Sequence, residues 1–304
     1  MDKIRKEMLE VVADMHQIPK GAYNIRENGK GVDRNTTANI DIVSKKDKDG
    51  IDIIIKPNTK NESVHIPVII TETGIKDLVY NDFYIGENAE VLIVAGCGIH
   101  NMDEKNSEHN GIHTFHIGKN AKVRYVEKHL GVGQKGGKIL NPITDIEMED
   151  NATMEMETTQ LGGVTSSIRK TNAKLMNNAK LVIKEKILTN EEQVANTYFN
   201  VYLSGENSSC EVISRSVAKG KSSQEFKSKV VGETTCFGHV ECDAILMDES
   251  HIVSTPEIVA NNINATLVHE AAIGKIAGDQ LTKLMTLGLT EKEAEEMIIQ
   301  GFLA

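Results

Sequence analysis

The apolar positions change their period along the chain. At the start, Ile4, Met8, Val11, Val12 and Met15 fall on one 3.6-residue stripe, which predicts a helix broken by Ile18-Pro19-Lys20-Gly21. From about Thr37 the period shortens to two. Ile40-Asp41-Ile42, Ile51-Asp52-Ile53, Val64-His65-Ile66 and Val68 alternate or run apolar between polar turns, as strands do. After Glu270 a helical period returns. Asp279 is placed to cap a helix with Leu281, Leu284 and Met285 on one face and Gly288 at its end. Thr290-Glu291-Lys292-Glu293 then reads as the capping box of a second helix carrying Ala294, Met297 and Ile298.

Within the strand region one phrase repeats. Gly86-Glu87-Asn88-Ala89, followed by the alternating Val91 and Ile93, returns at Asn120-Ala121 with Val123 and Tyr125. It returns again at Asn151-Ala152 with Met154 and Met156, and at Asn178-Ala179 with Leu181 and Ile183. Weaker copies stand at Asn207 and at Asn262-Ile263-Asn264-Ala265, with one copy blurred near Gly238. A polar turn, a small residue and an alternating run, recurring roughly every thirty residues, describe stacked β-coils. Asn suits the turn because it tolerates a left-handed backbone. The alternation sends Val91, Ile93, Val123, Tyr125, Met154 and Met156 into one shared interior.

A chain of 304 residues can bury a substantial core. Aromatics are only 4% and Trp is absent, so that core rests on Ile, Val, Leu and Met, which suits many short strands. The formal net charge of −10 and the lack of a basic patch exclude the counterion-releasing face of a nucleic-acid binder. Met1 to Glu7 lack the apolar core of a signal peptide, and no apolar run approaches the ~20 residues that span a bilayer. A soluble, cytoplasmic protein without a membrane partner is expected. None of the 4 cysteines, Cys97, Cys210, Cys236 and Cys242, lies in a CxxC pair, which argues against structural zinc and for free thiols in a reducing compartment.

Several local features compete for a chemical reading. Gly131-Val132-Gly133-Gln134-Lys135-Gly136 is a literal GxGxxG, but strand pattern follows it where a phosphate-binding helix is needed, and Gly137 stands where Walker A requires lysine. It is read as a solenoid loop, so no nucleotide-binding residue is assigned. Cys97 to His116, with His100, His109, His113 and His116, reads either as a long histidine-bearing loop or as a source of ligands for a soft metal. On one strand, His113 and His116 would face opposite ways. Cys210 occupies the core position of Val91, Cys242 shares the inward parity of Val240 and Ala244, and Cys236 has no clear register. His269 falls at the register of Ile93, with Glu270 beside it; a polar pair in the apolar phase marks either a site or the end of the solenoid.

The run His269-Glu270-Ala271-Ala272-Ile273-Gly274-Lys275-Ile276, with Asp279-Gln280-Leu281, Gly288-Leu289-Thr290 and Ile298-Ile299-Gln300-Gly301-Phe302, resembles the closing signature of the SufB/SufD family. Glu241-Cys242-Asp243-Ala244-Ile245-Leu246 and Thr255-Pro256-Glu257-Ile258 are similar to the same family in the same order, and Gly21-Ala22-Tyr23-Asn24-Ile25-Arg26 resembles the opening of its shorter members. The resemblance implies a mainly β protein: an N-terminal helical segment over residues 1–36, a right-handed parallel β-helix over 37–268, and a C-terminal two-helix unit over 269–304. It implies a non-catalytic scaffold for iron–sulfur cluster assembly, holding a transient cluster and docking a SufC-like ABC ATPase through its C-terminal helices. Pairing is implied through the last coils; with SufB-like Cys97, Cys242 and Glu270 in one compact chain, a homodimer is expected.

By the same resemblance Cys242, Glu270 and His269 would bind the cluster. Cys97 would receive sulfur from a cysteine desulfurase or from sulfide, with His113 and His116 as accessory residues. A Cys97 thiolate exposed on a loop would be the reactive form, and one Cys with Glu or His per subunit makes a cluster site labile enough to release its product. A dry interior would shield sulfur in transit to Cys242. The alternatives are a subunit that only docks the ATPase and, from a different class, a carbohydrate-active β-helix enzyme, which the few aromatics and the absent signal peptide disfavour.

Overall fold

The computed structural model describes residues 3–17 and 19–304. Strands account for 58% of it and wind into a parallel β-solenoid of about 8 turns, with helices at both ends. The repeated phrase makes one corner of each coil. Asn88, Asn120, Asn151, Asn178 and Asn207 all take φ between 54° and 57°, the left-handed turn that Asn accepts at low cost. The alanine after each of the first four is wholly buried at the inside of the corner. The final copy departs, since Asn264 is not left-handed. The opposite corner turns on Glu191, Gly220 and Asp248 in its later coils, positions that share no sequence phrase.

Each coil gives one strand to each of two facing sheets. The first sheet runs from Ala22–Glu27 through Glu62–Ile70, Glu90–His100, Lys122–Val132, Thr153–Gln160, Lys180–Thr189, Ser208–Ala218 and Cys236–Leu246 to Ala265–Gly274. The second runs from the antiparallel hairpin Ile40–Ser44 and Gly50–Ile55 through Lys76–Ile85, Ser107–Ile117, Lys138–Leu140 with Ile143–Met148, Ser166–Leu175, Val194–Leu203 and Ser223–Gly232 to His251–Ala260. The inward residues Val91, Ile93, Val123, Tyr125, Met154 and Met156 are all buried in one core with Phe83, Phe115 and Phe199. Phe83 and Phe115 stack on successive coils with ring centroids 4.3 Å apart.

Two boundaries differ from the sequence expectation. Among the described residues of 1–36 only Lys3–Ala13 (α1) is helical; Ala22–Glu27 and Lys30–Asn35 pair as antiparallel strands. They show no two-residue period, because Ala22, Tyr23, Asn24 and Ile25 are all buried and Lys30–Asn35 is a largely exposed edge with few apolar residues. Ile18, part of the expected helix break, lies outside the described residues. At the other end the final strand runs to Gly274, so His269 and Glu270 belong to the solenoid and not to the helical unit.

The stripe of α1 is also rotated from the expected one: Met8, Leu9, Val12 and Ala13 are buried and Val11 is exposed. The helix lies on the outer face of the first sheet, behind the Glu90–His100 strand. Gly96 permits this, since a Cβ there would stand 2.1 Å from the Val12 carbonyl oxygen. At the C-terminus, Gly278–Thr286 (α2) has Ala277 as its N-cap with no side-chain bond, so Asp279 acts only within the first turn, favourably placed for the helix dipole. Glu291–Leu303 (α3) has the expected capping box of Thr290 and Glu293, but buries Ala294 and Ile299 and leaves Met297 exposed. No described helix is long and apolar enough to cross a membrane.

Candidate functional site

Strand register stacks inward side chains into files along the solenoid axis. In the first sheet, Ile93, Tyr125, Met156, Ile183, Val212 and Val240 form one file, and His269 closes it. The file beside it reads Val91, Val123, Met154, Leu181, Cys210, Gly238 and Leu267. Cys210 is therefore a core residue. The blurred copy is explained too: a Cβ on Gly238 would come 2.8 Å from Leu267 and 3.5 Å from the Cys210 sulfur.

The next two inward files are polar. One reads Ala95, Glu127, Thr158, Glu185, Ser214, Cys242 and Ala271; the other begins Cys97, His129, Gln160. His109, His113, Arg169 and Thr197 are also buried, from the second sheet. The interior is thus divided lengthwise, apolar along the Asn corners and polar along the other side. Buried polar groups are tolerated only when they satisfy one another. Arg169 Nη1 donates to Glu127 at 2.6 Å, its Nε lies 3.7 Å from Glu185, and Thr197 and Ser214 donate to Glu185 at 3.1 and 3.0 Å. His129 Nε2 sits 3.4 Å from Glu127, and His113 Nδ1 is 2.9 Å from the Tyr125 hydroxyl.

These contacts set the charges. Burial alone would raise Glu127, but the Arg169 guanidinium and His129 hold its carboxyl well below the usual range. Glu185 is pushed up by burial, only partly offset by Arg169, Ser214 and Thr197. Arg169 stays charged because Glu127 and Glu185 outweigh its own desolvation. Glu127, His129, Arg169 and Glu185 were not singled out in the sequence, although a charged residue at an inward parity was a readable signal in each.

Cys97 is not on a loop. It faces inward within the Glu90–His100 strand and is 2% exposed, against Val68, Ile70, Ile99 and Leu140. Burial pushes its thiol well up, and the negative fields of Asp77 and Glu127 add to this. The expected exposed thiolate is therefore replaced by a covered, protonated thiol. Cys97 lines a cavity of about 20 Å³ together with His109, His113, Glu127 and His129. His113 and His116 share a strand and face opposite ways, so His113 joins Cys97 while His116 lies outside, 2.9 Å from Glu147 and stacked on Tyr84.

At the far end Cys242 is also inward and 2% exposed, its thiol pushed up to about 11 by burial. It pairs in register with Ala271, two residues from His269 on the same face, a diagonal of roughly 8 Å between α-carbons. Both His269 ring nitrogens are covered and lack a hydrogen-bond partner among the described residues. Such an orphan in a native interior has capacity for a ligand. Burial, with His239 nearby, lowers the His269 pKa and keeps the ring neutral, the ligating form. Glu270 alternates to the outer face beside Glu241, with its carboxylate 3.8 Å from His239 Nε2. Within one chain, then, Cys242 and His269 share a face and Glu270 does not. Among the described residues no group of three or more His, Cys, Asp or Glu is arranged to hold a metal ion. Cys236 is buried near the same end.

Residues 79–302 match the profile of the SUF system FeS cluster assembly, SufBD core domain. The chain belongs to the SufBD family. Iron–sulfur cluster assembly SufBD family proteins similar to it include one from Methanothermobacter thermautotrophicus (strain Winter), 30% identical over 240 residues, covering 78% of this chain and 58% of the relative. Another, from Methanocaldococcus jannaschii, is 28% identical over 270 residues, covering 86% and 84%. A third, from Archaeoglobus fulgidus, is 31% identical over 230 residues, covering 75% and 61%. The chain thus spans just under three fifths of the length of the first of these family members. The family match contains every candidate residue from Cys97 to Glu270 and excludes α1 and the first coil.

The buried histidines make stability depend on pH. Burial pushes His113 from its ordinary 6.5 down to about 4. The unfolded chain therefore takes up a proton that the fold refuses, and stability should fall as pH drops from 6.5 toward 4, by up to about 3 kcal/mol. Urea unfolding at stepped pH should show this loss, and His113→Gln should flatten it. An unchanged slope in that variant would assign the acid limb to other groups.

Proposed function

We propose that this SufBD family chain is a scaffold on which an iron–sulfur cluster is assembled. Sulfur is received near Cys97, and the nascent cluster is held at Cys242 with His269 before release to an acceptor. The observation that supports this best is the run of buried polar residues between the two cysteines: Cys97 heads one polar file with His129 and Gln160, and Glu127, Thr158, Glu185 and Ser214 lead along the file beside it to Cys242. A solenoid needs no ion-pair network to stand, and burying Glu127, Arg169 and Glu185 carries a desolvation cost that hydrophobic residues would avoid. A conduit for polar sulfur species gives that cost a purpose. Cys242 and His269 offer one thiolate and one imidazole, too few to retain a cluster as a Cys₄ site does and suited to releasing it.

The partners follow from the ends. The His251–Ala260 and Ala265–Gly274 strands close the two sheets with unpaired edges and expose Val253, Ile258, Val268 and Ile273. Exposed apolar edges call for a cover, and a second copy of the chain pairing through these coils supplies one, bringing Glu270 near the other copy. Helix α2 buries none of its residues, and Met285, Leu287 and Met297 are exposed, a surface suited to a SufC-like ABC ATPase that hydrolyses ATP on behalf of the complex.

The test is anaerobic loading with ferrous iron and sulfide, alone and with the ATPase, followed by visible absorbance and light scattering. A scaffold is expected to gain cluster absorbance as a dimer of identical chains. A stable ATPase complex without absorbance would leave the docking-only subunit, and an obligate dissimilar partner would overturn the homodimer.

A further inference from the structure

We propose that a basin at the N-terminal end of the solenoid binds hydrosulfide, the one-atom anionic form of sulfur, and passes it to the Cys97 cavity. This rests on the reading of Cys97 as the receiving end. The basin measures about 540 Å³ and opens between the Lys30–Asn35 strand, the hairpin of Ile40–Ser44 and Gly50–Ile55, and the first coil. It shares Ile66, Val68 and Asn81 with the wall of the Cys97 cavity, so a single layer of side chains separates the two spaces.

Charge selects the ligand. Arg26, Arg34, Lys45 and Lys48 line the basin, against Asp33 and Asp49. Arg26 is committed to the buried Asp77, which also holds His109 at 3.0 Å, and Lys45 to Asp52 and Asp82. Arg34 and Lys48 differ. The Arg34 guanidinium donates only to neutral oxygens, Asn24 Oδ1 at 2.9 Å and the Ile42 carbonyl at 3.2 Å, while its backbone N–H donates to Asp33 Oδ1 at 2.9 Å; the Lys48 ammonium lies 4.3 Å from the centre of the Tyr80 ring. Neither side-chain cation has a carboxylate partner among the described residues. The basin therefore offers two uncompensated cations to a visiting anion.

Size selects it further. The Cys97 cavity, about 20 Å³, takes one water-sized species and no amino acid or peptide. With Cys97 covered inside the strand, a donor protein's cysteine cannot reach it, whereas a single sulfur atom can. Only entry and binding are proposed, with no change in the oxidation state of sulfur.

Equilibrium dialysis of the full chain with ³⁵S-labelled sulfide under anaerobic conditions tests this. The expected result is one saturable site per chain, weakened roughly tenfold or more in Arg34→Gln/Lys48→Gln. Both residues are exposed, so the variant should keep the wild-type unfolding midpoint. Binding should persist in Cys242→Ser, which separates this site from the cluster site. Label supplied as the outer sulfur of cysteine persulfide should be retained only after a thiol reductant frees it as sulfide; direct retention of the persulfide would overturn hydrosulfide as the ligand. Equal binding by wild type and the double variant, or no saturable binding of sulfide, overturns the proposal. Cluster formation in the same preparation would leave the scaffold reading standing.

Discussion

Arg169→Met should lower the unfolding free energy by about 3–5 kcal/mol, a large share of the stability of any domain. Among the described residues Arg169 is the only cation reaching both Glu127 and Glu185, and all three are at most 7% exposed. Methionine replaces the aliphatic stem of the side chain but leaves two carboxyls buried with no positive charge. Glu127 would then follow burial and rise, as Glu185 already does. A carboxyl whose folded pKa exceeds its unfolded value loses stability as pH rises, so the deficit should be larger at pH 8 than at pH 5. Adding Glu127→Gln should recover most of the loss, because the amide needs no counter-charge. Urea midpoints of the two single variants and the double variant give the coupling. A single variant within about 1 kcal/mol of wild type would mean that water reaches the network, which would remove the argument for a dry conduit.

The solenoid was legible because its corners repeat a phrase whose physics is local. Asn before Ala specifies a left-handed turn and a tight inner corner, and alternation on either side specifies which face is inward. The repeat puts His269 in the file of Ile93, and the pairing of Val240 with His269 agrees. The first coil was not legible: Ala22–Glu27 buries consecutive residues, Asn24 among them, and Lys30–Asn35 is exposed almost throughout, so neither shows a two-residue period.

The polar half of the interior escaped for a different reason. Glu127 and Glu185 keep the inward parity of Tyr125 and Ile183, but a charge in a strand is ordinarily taken as outward, and only the arrival of Arg169 from the facing sheet makes the inward choice affordable. That pairing joins residues 42 apart in sequence, and no local pattern reports it. Cys97 shows the same limit. Its neighbours Gly96 and Gly98 look like loop residues, yet they are glycines because α1 presses on the back of the strand.

Face geometry orders the proposed cluster ligands, and variants should follow that order. Cys242→Ser should abolish the absorbance of the reconstituted cluster, since serine supplies no thiolate for iron. His269→Ala should reduce cluster retention about tenfold or more, because it removes the one unpartnered imidazole on the face of Cys242. Glu270→Gln should cost less, roughly threefold, because within one chain its carboxylate lies across the strand from the cysteine and reaches a shared cluster only where two copies meet. Loading should also speed up with pH from 6.5 to 8.5: the Cys242 thiol is pushed up to about 11, and iron must displace its proton. Anaerobic titration with chelator competition would read all of this. If Glu270→Gln lost the cluster while His269→Ala kept it, the iron would lie on the outer face, and the interior file could no longer be the route that supplies it.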